Sequence, residues 1–148
     1  MYYEKDVKGA IIEYETAIEL NPNDANAHSF YAVCLGFMDK NTDSIAHAMI
    51  AQRLEPFSLT VNVQVCSIFW MAEFYEKAIE HCKKLIELEP NFYGGYLNLG
   101  LVYVSMNRLE EAIVQMELAV KRQNIGATLG FLGLIHGLMG EKIKAMEV

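Results

Sequence analysis

Cysteine and histidine are the residues of this chain with the most obvious capacity to bind a metal or to attack a substrate. The cysteines are Cys34, Cys66 and Cys82, which lack the close pairing of a metal motif and would leave one thiol over if two were joined. We therefore interpret them as buried thiols kept reduced, which predicts a cytoplasmic protein.

The histidines are too dispersed to form a recognisable metal motif, at positions His28, His47, His81 and His136. His47 and His81 are 34 positions apart, and we expect both to lie on the outer side of helices. We predict no metal and no cofactor.

Catalytic motifs are absent from the sequence. It contains no glycine-rich phosphate loop, no nucleophile elbow and no HExxH helix. We therefore predict that the chain is not an enzyme.

Composition restricts the partner classes further. The 148 residues are 53% apolar and carry a net charge of −7, which predicts one folded domain and argues against nucleic acid, whose phosphates require clustered Lys and Arg. The apolar segment from Ile125 to Gly140 is short for a membrane span and contains His136, so we predict no membrane insertion.

The prolines repeat the 34-residue interval that separates His47 from His81. Pro22, Pro56 and Pro90 are each 34 positions apart, and each follows an amphipathic segment. A fixed period of this size predicts an all-α stack of helical repeats.

Small side chains recur at two phases of the same period. One set is Ala32, Cys66, Gly100 and Gly133, and the other is Ala10, Ser44, Ala78, Ala112 and Ala145. Small residues at a fixed phase allow two helices to cross closely.

This pattern resembles the tetratricopeptide repeat (TPR), a helix-turn-helix unit of 34 residues. Between Tyr93 and Gly126 the family positions are matched by Tyr96, Leu99, Gly100, Tyr103, Ala112 and Ala119. Departures occur at His28, Cys82 and Asn124, the last of which replaces the terminal proline. The resemblance implies a right-handed superhelical solenoid of stacked antiparallel helix pairs.

The repeat phase divides one TPR domain, residues 1–148, into units that are incomplete at both ends. We assign 1–24 to the second helix of a partial repeat, 25–58, 59–92 and 93–125 to repeats, and 126–148 to a partial repeat whose second helix starts near Ala145. Neither end shows the polar face of a capping repeat, so we expect an excerpt of a longer protein.

The resemblance implies that first helices line a concave groove that binds a partner peptide or helix through apolar anchors. The alternative for some of these residues is packing against a neighbouring repeat. By phase, the groove residues are Phe30, Val33, Phe37, Val63, Ser67, Trp70, Met71, Leu97, Asn98, Leu101, Val104, Phe131 and Leu134.

The carboxylate clamp of chaperone-binding TPR proteins is a more specific possibility that the residues do not support. That clamp uses Lys, Asn and Arg from successive first helices, whereas the matching positions here include Ser29, Val33, Val63 and Ser67. Only Asn98 fits.

Three biological settings remain open. The chain is similar to TPR regions that follow output domains in bacterial signalling proteins, which implies a docking or sensory arm of a larger protein. The competing hypotheses are a free-standing scaffold or assembly protein, and self-association as a homodimer through the groove or the uncapped ends.

Overall fold

The computed structural model describes residues 2–147, and their side chains from Asp6 onwards, as eight helices with no strand. Met1 is the first residue of the first predicted repeat and Val148 is the last residue of the last one. Both lie outside the described residues. The predicted all-α fold of repeated helix pairs is confirmed. The helices are α1 (Tyr2–Leu20), α2 (Ala25–Phe37), α3 (Asn41–Leu54), α4 (Leu59–Met71), α5 (Tyr75–Leu88), α6 (Tyr93–Ser105), α7 (Leu109–Arg122) and α8 (Gly126–Met146).

The chain forms two compact units that divide within α5. The first ends at His81 and contains α1 to α4, and the second begins at Cys82 and contains α6 to α8. We call α2, α4 and α6 first helices and α3, α5 and α7 second helices, following the predicted repeat. The repeat boundaries assigned from the sequence remain a prediction.

Two of the first helices begin at side chains that cap them. Asp24 and Ser58 accept hydrogen bonds from the backbone N–H groups of Ala27 (3.0 Å) and Val61 (3.3 Å). Each cap satisfies a donor that the first turn of a helix leaves unpaired. Phe92, 34 positions after Ser58, offers no such cap to α6.

A side chain at the fourth residue of each complete first helix closes the turn that precedes it. His28 Nε2, Asn62 Nδ2 and Tyr96 Oη each donate to the carbonyl of the proline six positions earlier, at 2.9 Å. Three chemically different side chains therefore make one repeated hydrogen bond to the backbone of the preceding turn.

The turn between a first helix and its second helix places a residue in the left-handed region in all three repeats. These residues are Asp39, Glu73 and Asn107, with φ of 58°, 63° and 57°. The N–H of each bonds the carbonyl three residues before it, and the next N–H bonds the carbonyl five residues before, as in a Schellman motif. The sequence analysis did not identify this turn because none of the three residues is glycine.

Glu73 is the least suitable of these residues for a left-handed conformation, which costs a non-glycine residue roughly 1–2 kcal/mol. We expect Glu73→Gly to raise the free energy of unfolding by about 1 kcal/mol, measured by urea denaturation. Asn107→Gly should give a smaller gain because asparagine tolerates this region. A loss of stability in Glu73→Gly would contradict the assignment.

Small residues bring the helices of a pair into close contact, as predicted. Ser44 Oγ donates to the carbonyl of Ala32 at 2.7 Å in the first pair. In the third pair, a Cβ added at Gly100 would lie 2.9 Å from Cε of Met116. These crossings leave no room for a larger side chain at the first-helix position.

Helix α8 differs from the sequence-based expectation. It continues unbroken to Met146, so the prediction of a second helix starting near Ala145 is wrong. The close packing expected at Gly133 from its repeat phase is also wrong, because an added Cβ would meet nothing within 4 Å there. The helix instead buries Thr128 and Ile135.

Candidate functional site

The three first helices share an unusual composition. None of the 13-residue helices α2, α4 and α6 contains Asp, Glu, Lys or Arg. Apolar residues lie around most of each helix, whereas the second helices α5 and α7 carry charged residues along one side. A helix that is apolar on every side is normally fully buried.

The first unit nevertheless leaves apolar side chains of α2 accessible. Phe30, Val33 and Phe37 follow the i, i+3, i+7 spacing of one helix face. Phe37 is 66% exposed, and Val33 is half-buried. Phe30 is exposed at its edge while its ring stacks on Tyr14 of α1, with ring centroids 6.0 Å apart.

Helix α4 presents Val63, Ser67, Trp70 and Met71, all half-buried. Ser67 Oγ donates to the carbonyl of Val63 at 3.1 Å within the helix. Met71 also packs beside α2, because a Cβ added at Gly36 would lie 3.0 Å from its Cε. Met71 therefore has a packing role as well as an accessible surface.

The second unit contributes two further stretches. On α6, Leu97, Asn98, Leu101 and Val104 are half-buried, and Asn98 Nδ2 donates to the carbonyl of Gly94 at 2.9 Å. On α8, half-buried Phe131 and exposed Leu134 line a shallow depression of about 360 Å³ with Ala127 and Gly130.

All thirteen predicted groove residues are thus exposed or half-buried, and we call them the first-helix stripes. Those from Phe30 to Met71 lie in the first unit, and those from Leu97 to Leu134 lie in the second. On α4, next to Val63 in the chain, the buried Oε1 of Gln64 has no hydrogen-bond partner among the described residues.

Two histidines form a contact that the sequence analysis missed. His28 Nδ1 and His47 Nδ1 are 2.8 Å apart, and His47 packs edge-on against the ring of Tyr31, whose hydroxyl donates to Glu15 at 2.8 Å. The prediction that His47 and His81 lie on the outer side is wrong. His81 is buried and stacks on Phe69, with ring centroids 4.9 Å apart.

One proton of the histidine pair can be assigned from its hydrogen-bond partner. A backbone carbonyl only accepts, so His28 Nε2 carries the proton that it donates to Pro22. His28 Nδ1 and His47 Nδ1 share one hydrogen bond, in which one of the two nitrogens carries the proton. Burial and then the proximity of His28 lower the pKa of His47, while the Asp43 carboxylate opposes them in part.

This arrangement predicts a pH-dependent stability. Because the pKa of His47 is lowered on folding, its contribution is complete above the unfolded pKa of about 6.5 and is lost as the pH falls towards the folded pKa. The free energy of unfolding, measured by urea denaturation, should therefore fall less between about pH 7 and pH 5 in His47→Gln than in the unaltered chain.

The control for this prediction is His136→Gln, which alters an exposed histidine of α8. It should retain the pH dependence of the unaltered chain. Glu15, Asp43 and Tyr31 surround the pair and are unchanged in both variants, so only the difference between the two pH profiles reports His47. Identical profiles for the two variants would refute the assignment.

Other chemistry is not assembled in the part of the chain that the structure describes. Residues 6–147, whose side chains the structure describes, contain no group of three or more His, Cys, Asp or Glu side chains placed to hold a metal ion. Within the same range, no helix is both long and apolar enough to span a membrane. Cys66 and Cys82 are buried thiols at packing positions, and Cys34 is half-buried.

Comparison with known proteins gives matches in sequence and in fold. Residues 81–114, one repeat length, match the family model described as Tetratricopeptide repeat. A stretch of 90 residues, 61% of this chain, is 30% identical to the general transcriptional corepressor trfA of Dictyostelium discoideum. The chain spans only 6% of the length of that curated relative.

Solved structures with a similar fold cover most of the chain. The thermophilic TPR protein TTC0263 of Thermus thermophilus has a TM-score of 0.83 at 17% identity, over 94% of this chain and 77% of that one. MamA 41-end of Desulfovibrio magneticus RS-1 has a TM-score of 0.71 at 16% identity, over 99% and 83%.

A third similar structure was solved with a ligand. The first TPR of Spaghetti (RPAP3), bound to the HSP90 peptide SRMEEVD, has a TM-score of 0.66 at 15% identity, over 78% of this chain and 93% of that one. At these identities the structural likeness shows the fold alone.

The repeated helix pairs and their small-residue crossings define an α-helical repeat protein. Residues 81–114 match the tetratricopeptide repeat model, and the structural relatives show that the helical repeat fold of tetratricopeptide repeat proteins extends over most of the chain. This fold is typical of protein–protein interaction modules, and proteins that carry it are generally non-catalytic scaffolds.

Proposed function

We propose that the first-helix stripes bind an uncharged, apolar segment of a partner protein, either an amphipathic helix or an extended hydrophobic peptide. The chain would act without catalysis or a cofactor, as a docking or sensory arm of a larger protein. The stretch that matches the corepressor covers only 6% of that protein's length, which supports a role as one segment of a larger protein.

The observation that carries this proposal is that the charged residues of the chain lie outside the first helices, whose apolar side chains are accessible. The acidic residues that give the chain its net charge of −7 are absent from α2, α4 and α6. Those helices expose aromatic and aliphatic side chains instead, among them Phe37 and Trp70, which suit an apolar partner.

An acidic ligand is less suitable for this surface. The peptide bound by the RPAP3 domain, SRMEEVD, carries three acidic side chains and a terminal carboxylate. A carboxylate moved from water to an uncharged surface loses hydration, and no Lys or Arg on these three helices would replace it. The amide of Asn98 supports contact with peptide backbone groups, but a neutral amide does not neutralise charge.

The cellular setting is part of the proposal. Three cysteines without disulfide bonds support a reducing compartment, and we place the protein in the cytoplasm. The likeness to TPR regions of bacterial signalling proteins supports a regulatory context, in which the repeats would recruit or receive a partner for an output domain.

The proposal predicts that one charge on the stripes weakens binding. Phe37→Glu places a carboxylate at a position 66% exposed, so folding should be retained while affinity for an uncharged amphipathic peptide falls about thirtyfold, or ~2 kcal/mol. Emission from Trp70, the single tryptophan, reports binding in the titration.

The matched control is Val114→Glu, which places the same charge at an exposed apolar residue of the second helix α7. It should leave the affinity unchanged. An isosteric acidic peptide should bind the unaltered chain more weakly than the uncharged one. Equal loss in both variants, or preference for the acidic peptide, would refute the proposal.

We also propose a second function, a free-standing scaffold that assembles through self-association. One specific observation favours it. A Cβ added at Gly133 of α8 would meet nothing within 4 Å, whereas one added at Gly100, which has the equivalent repeat phase, would lie 2.9 Å from Cε of Met116. This alternative does not require the first-helix stripes to bind a ligand.

A further inference from the structure

The two histidines of the first helix pair bring their Nδ1 atoms together. His28 Nδ1 and His47 Nδ1 are 2.8 Å apart, while the centroids of the two rings are 5.1 Å apart. The two nitrogen atoms therefore lie between the ring centres and face one another. Their lone-pair positions converge on one small volume between α2 and α3.

The other ring nitrogen of His28 is held as it is in a metal-binding histidine. His28 Nε2 donates to the carbonyl of Pro22 at 2.9 Å. Histidines that bind metal ions almost always donate their second ring N–H to a carbonyl, a carboxylate or water, which fixes the tautomer and the orientation of the ring. The bond to Pro22 thus leaves Nδ1 of neutral His28 as the nitrogen that can bind a cation.

From this geometry we infer that His28 and His47 bind a divalent metal ion of the Zn²⁺ class through their two Nδ1 atoms. The ion takes the place of the proton that the two nitrogens share, and that proton passes to solvent or to Nε2 of His47. Imidazole nitrogen is a favoured ligand of Zn²⁺, and water or a carboxylate fills the remaining coordination positions.

The ion fits after a small change in the contact. Two Zn–N bonds of about 2.0–2.1 Å at a tetrahedral angle place the nitrogens about 3.3 Å apart, so the contact opens by about 0.5 Å as the rings tilt. His28 is only 4% exposed, whereas His47 is half-buried. The ion therefore enters from the side of His47, whose ring makes most of the adjustment.

Two carboxylates border the pair. Asp43 lies one helical turn before His47 and acts on it through its charge, and Glu15 accepts a hydrogen bond from Tyr31, whose ring packs edge-on against His47. Both negative charges favour a cation at this place. The described side chains form no ready-made group of three ligands, so the site begins with two histidines, and exposed Asp43 becomes a third ligand only if its side chain rotates.

The two positions that hold this pair are filled differently in the other repeats. They hold Asn62 and His81 in the second repeat, and Tyr96 and Gln115 in the third. An amide and a phenol make the same turn bond to the preceding proline that His28 makes, but neither is an imidazole. The turn bond therefore does not account for a histidine that faces a second histidine.

The bound ion has a structural role. It joins α2 to α3 and, through the bond from His28 to Pro22, holds the turn before α2. It adds no catalysis and is independent of peptide binding by the first-helix stripes. The inference revises the sequence-based prediction of no metal, which considered the spacing of histidines along the chain and not their distance in the fold.

Isothermal titration calorimetry of the full chain with Zn²⁺ tests the inference at about pH 7.5, where an unperturbed histidine is largely neutral. One ion per chain should bind, and the melting temperature should rise by roughly 3 °C at saturating Zn²⁺. Mg²⁺, which prefers oxygen ligands, should produce neither effect. No binding of Zn²⁺, or equal binding of Mg²⁺, would overturn the inference.

Two variants each remove one ligand. His28→Asn keeps the turn bond, because Asn62 makes the equivalent bond to Pro56, and His47→Gln alters a half-buried residue. Each variant should bind Zn²⁺ more than about tenfold more weakly and lose the rise in melting temperature. Circular dichroism checks that both variants remain helical.

Two controls separate this site from other side chains that can bind Zn²⁺. His136→Gln removes an exposed histidine of α8, and Cys34→Ser removes a half-buried thiol of α2. Both should bind Zn²⁺ like the unaltered chain. Loss of binding in either control, or unchanged affinity in either His28→Asn or His47→Gln, would contradict the assignment of the ligands.

Discussion

The close crossing of a first helix over its second helix, as in α2 over α3 and α6 over α7, is the contact on which the other features depend. Ala32 and Gly100 hold the crossing position in these pairs, Cys66 has the same repeat phase in α4, and all three are buried. Adding even a few methylene groups to such a contact costs typically about 1–3 kcal/mol, so the position restricts side-chain size. Because the crossing occupies one side of a first helix, the opposite side is available for its apolar stripe.

The sequence predicted the repeated features better than the local ones. The proline period and the small-residue phases identified the helix pairs, because close crossing imposes the same size limit in each repeat. The left-handed turn residues were not identified, since Asp39, Glu73 and Asn107 differ in chemistry and share only a backbone conformation. Several residue types can adopt a left-handed backbone conformation, so a single sequence does not reveal these turn positions.

The structure also differs from the sequence-based expectation at His47 and in α8, and both differences have local physical causes. His47 was expected to face outwards because of its phase in the second helix, yet its ring finds a hydrogen-bond partner in His28, which offsets burial of the polar atoms. Helix α8 was expected to end at the usual turn. The residues Glu141 to Met146 favour helix strongly enough to continue it past Gly140.

Charge separates the candidate binding surface from the rest of the chain. The second helices and turns carry ionic groups that hydrate readily, such as Arg108 paired with Glu111, while α2, α4 and α6 carry none. Apolar burial gives roughly 25 cal/mol per Å², so a partner that covers aromatic side chains gains affinity without replacing the hydration of an ion.

The uncharged first helices are proposed as the binding surface, and methyl and amide NMR shifts recorded during titration with an uncharged amphipathic peptide test this claim most directly. The account predicts that the largest shifts occur at first-helix stripe residues, including Val33, Val63 and Leu101, with small shifts at Val114. Shifts concentrated on α3, α5 and α7, or no shifts at saturating peptide, would contradict it.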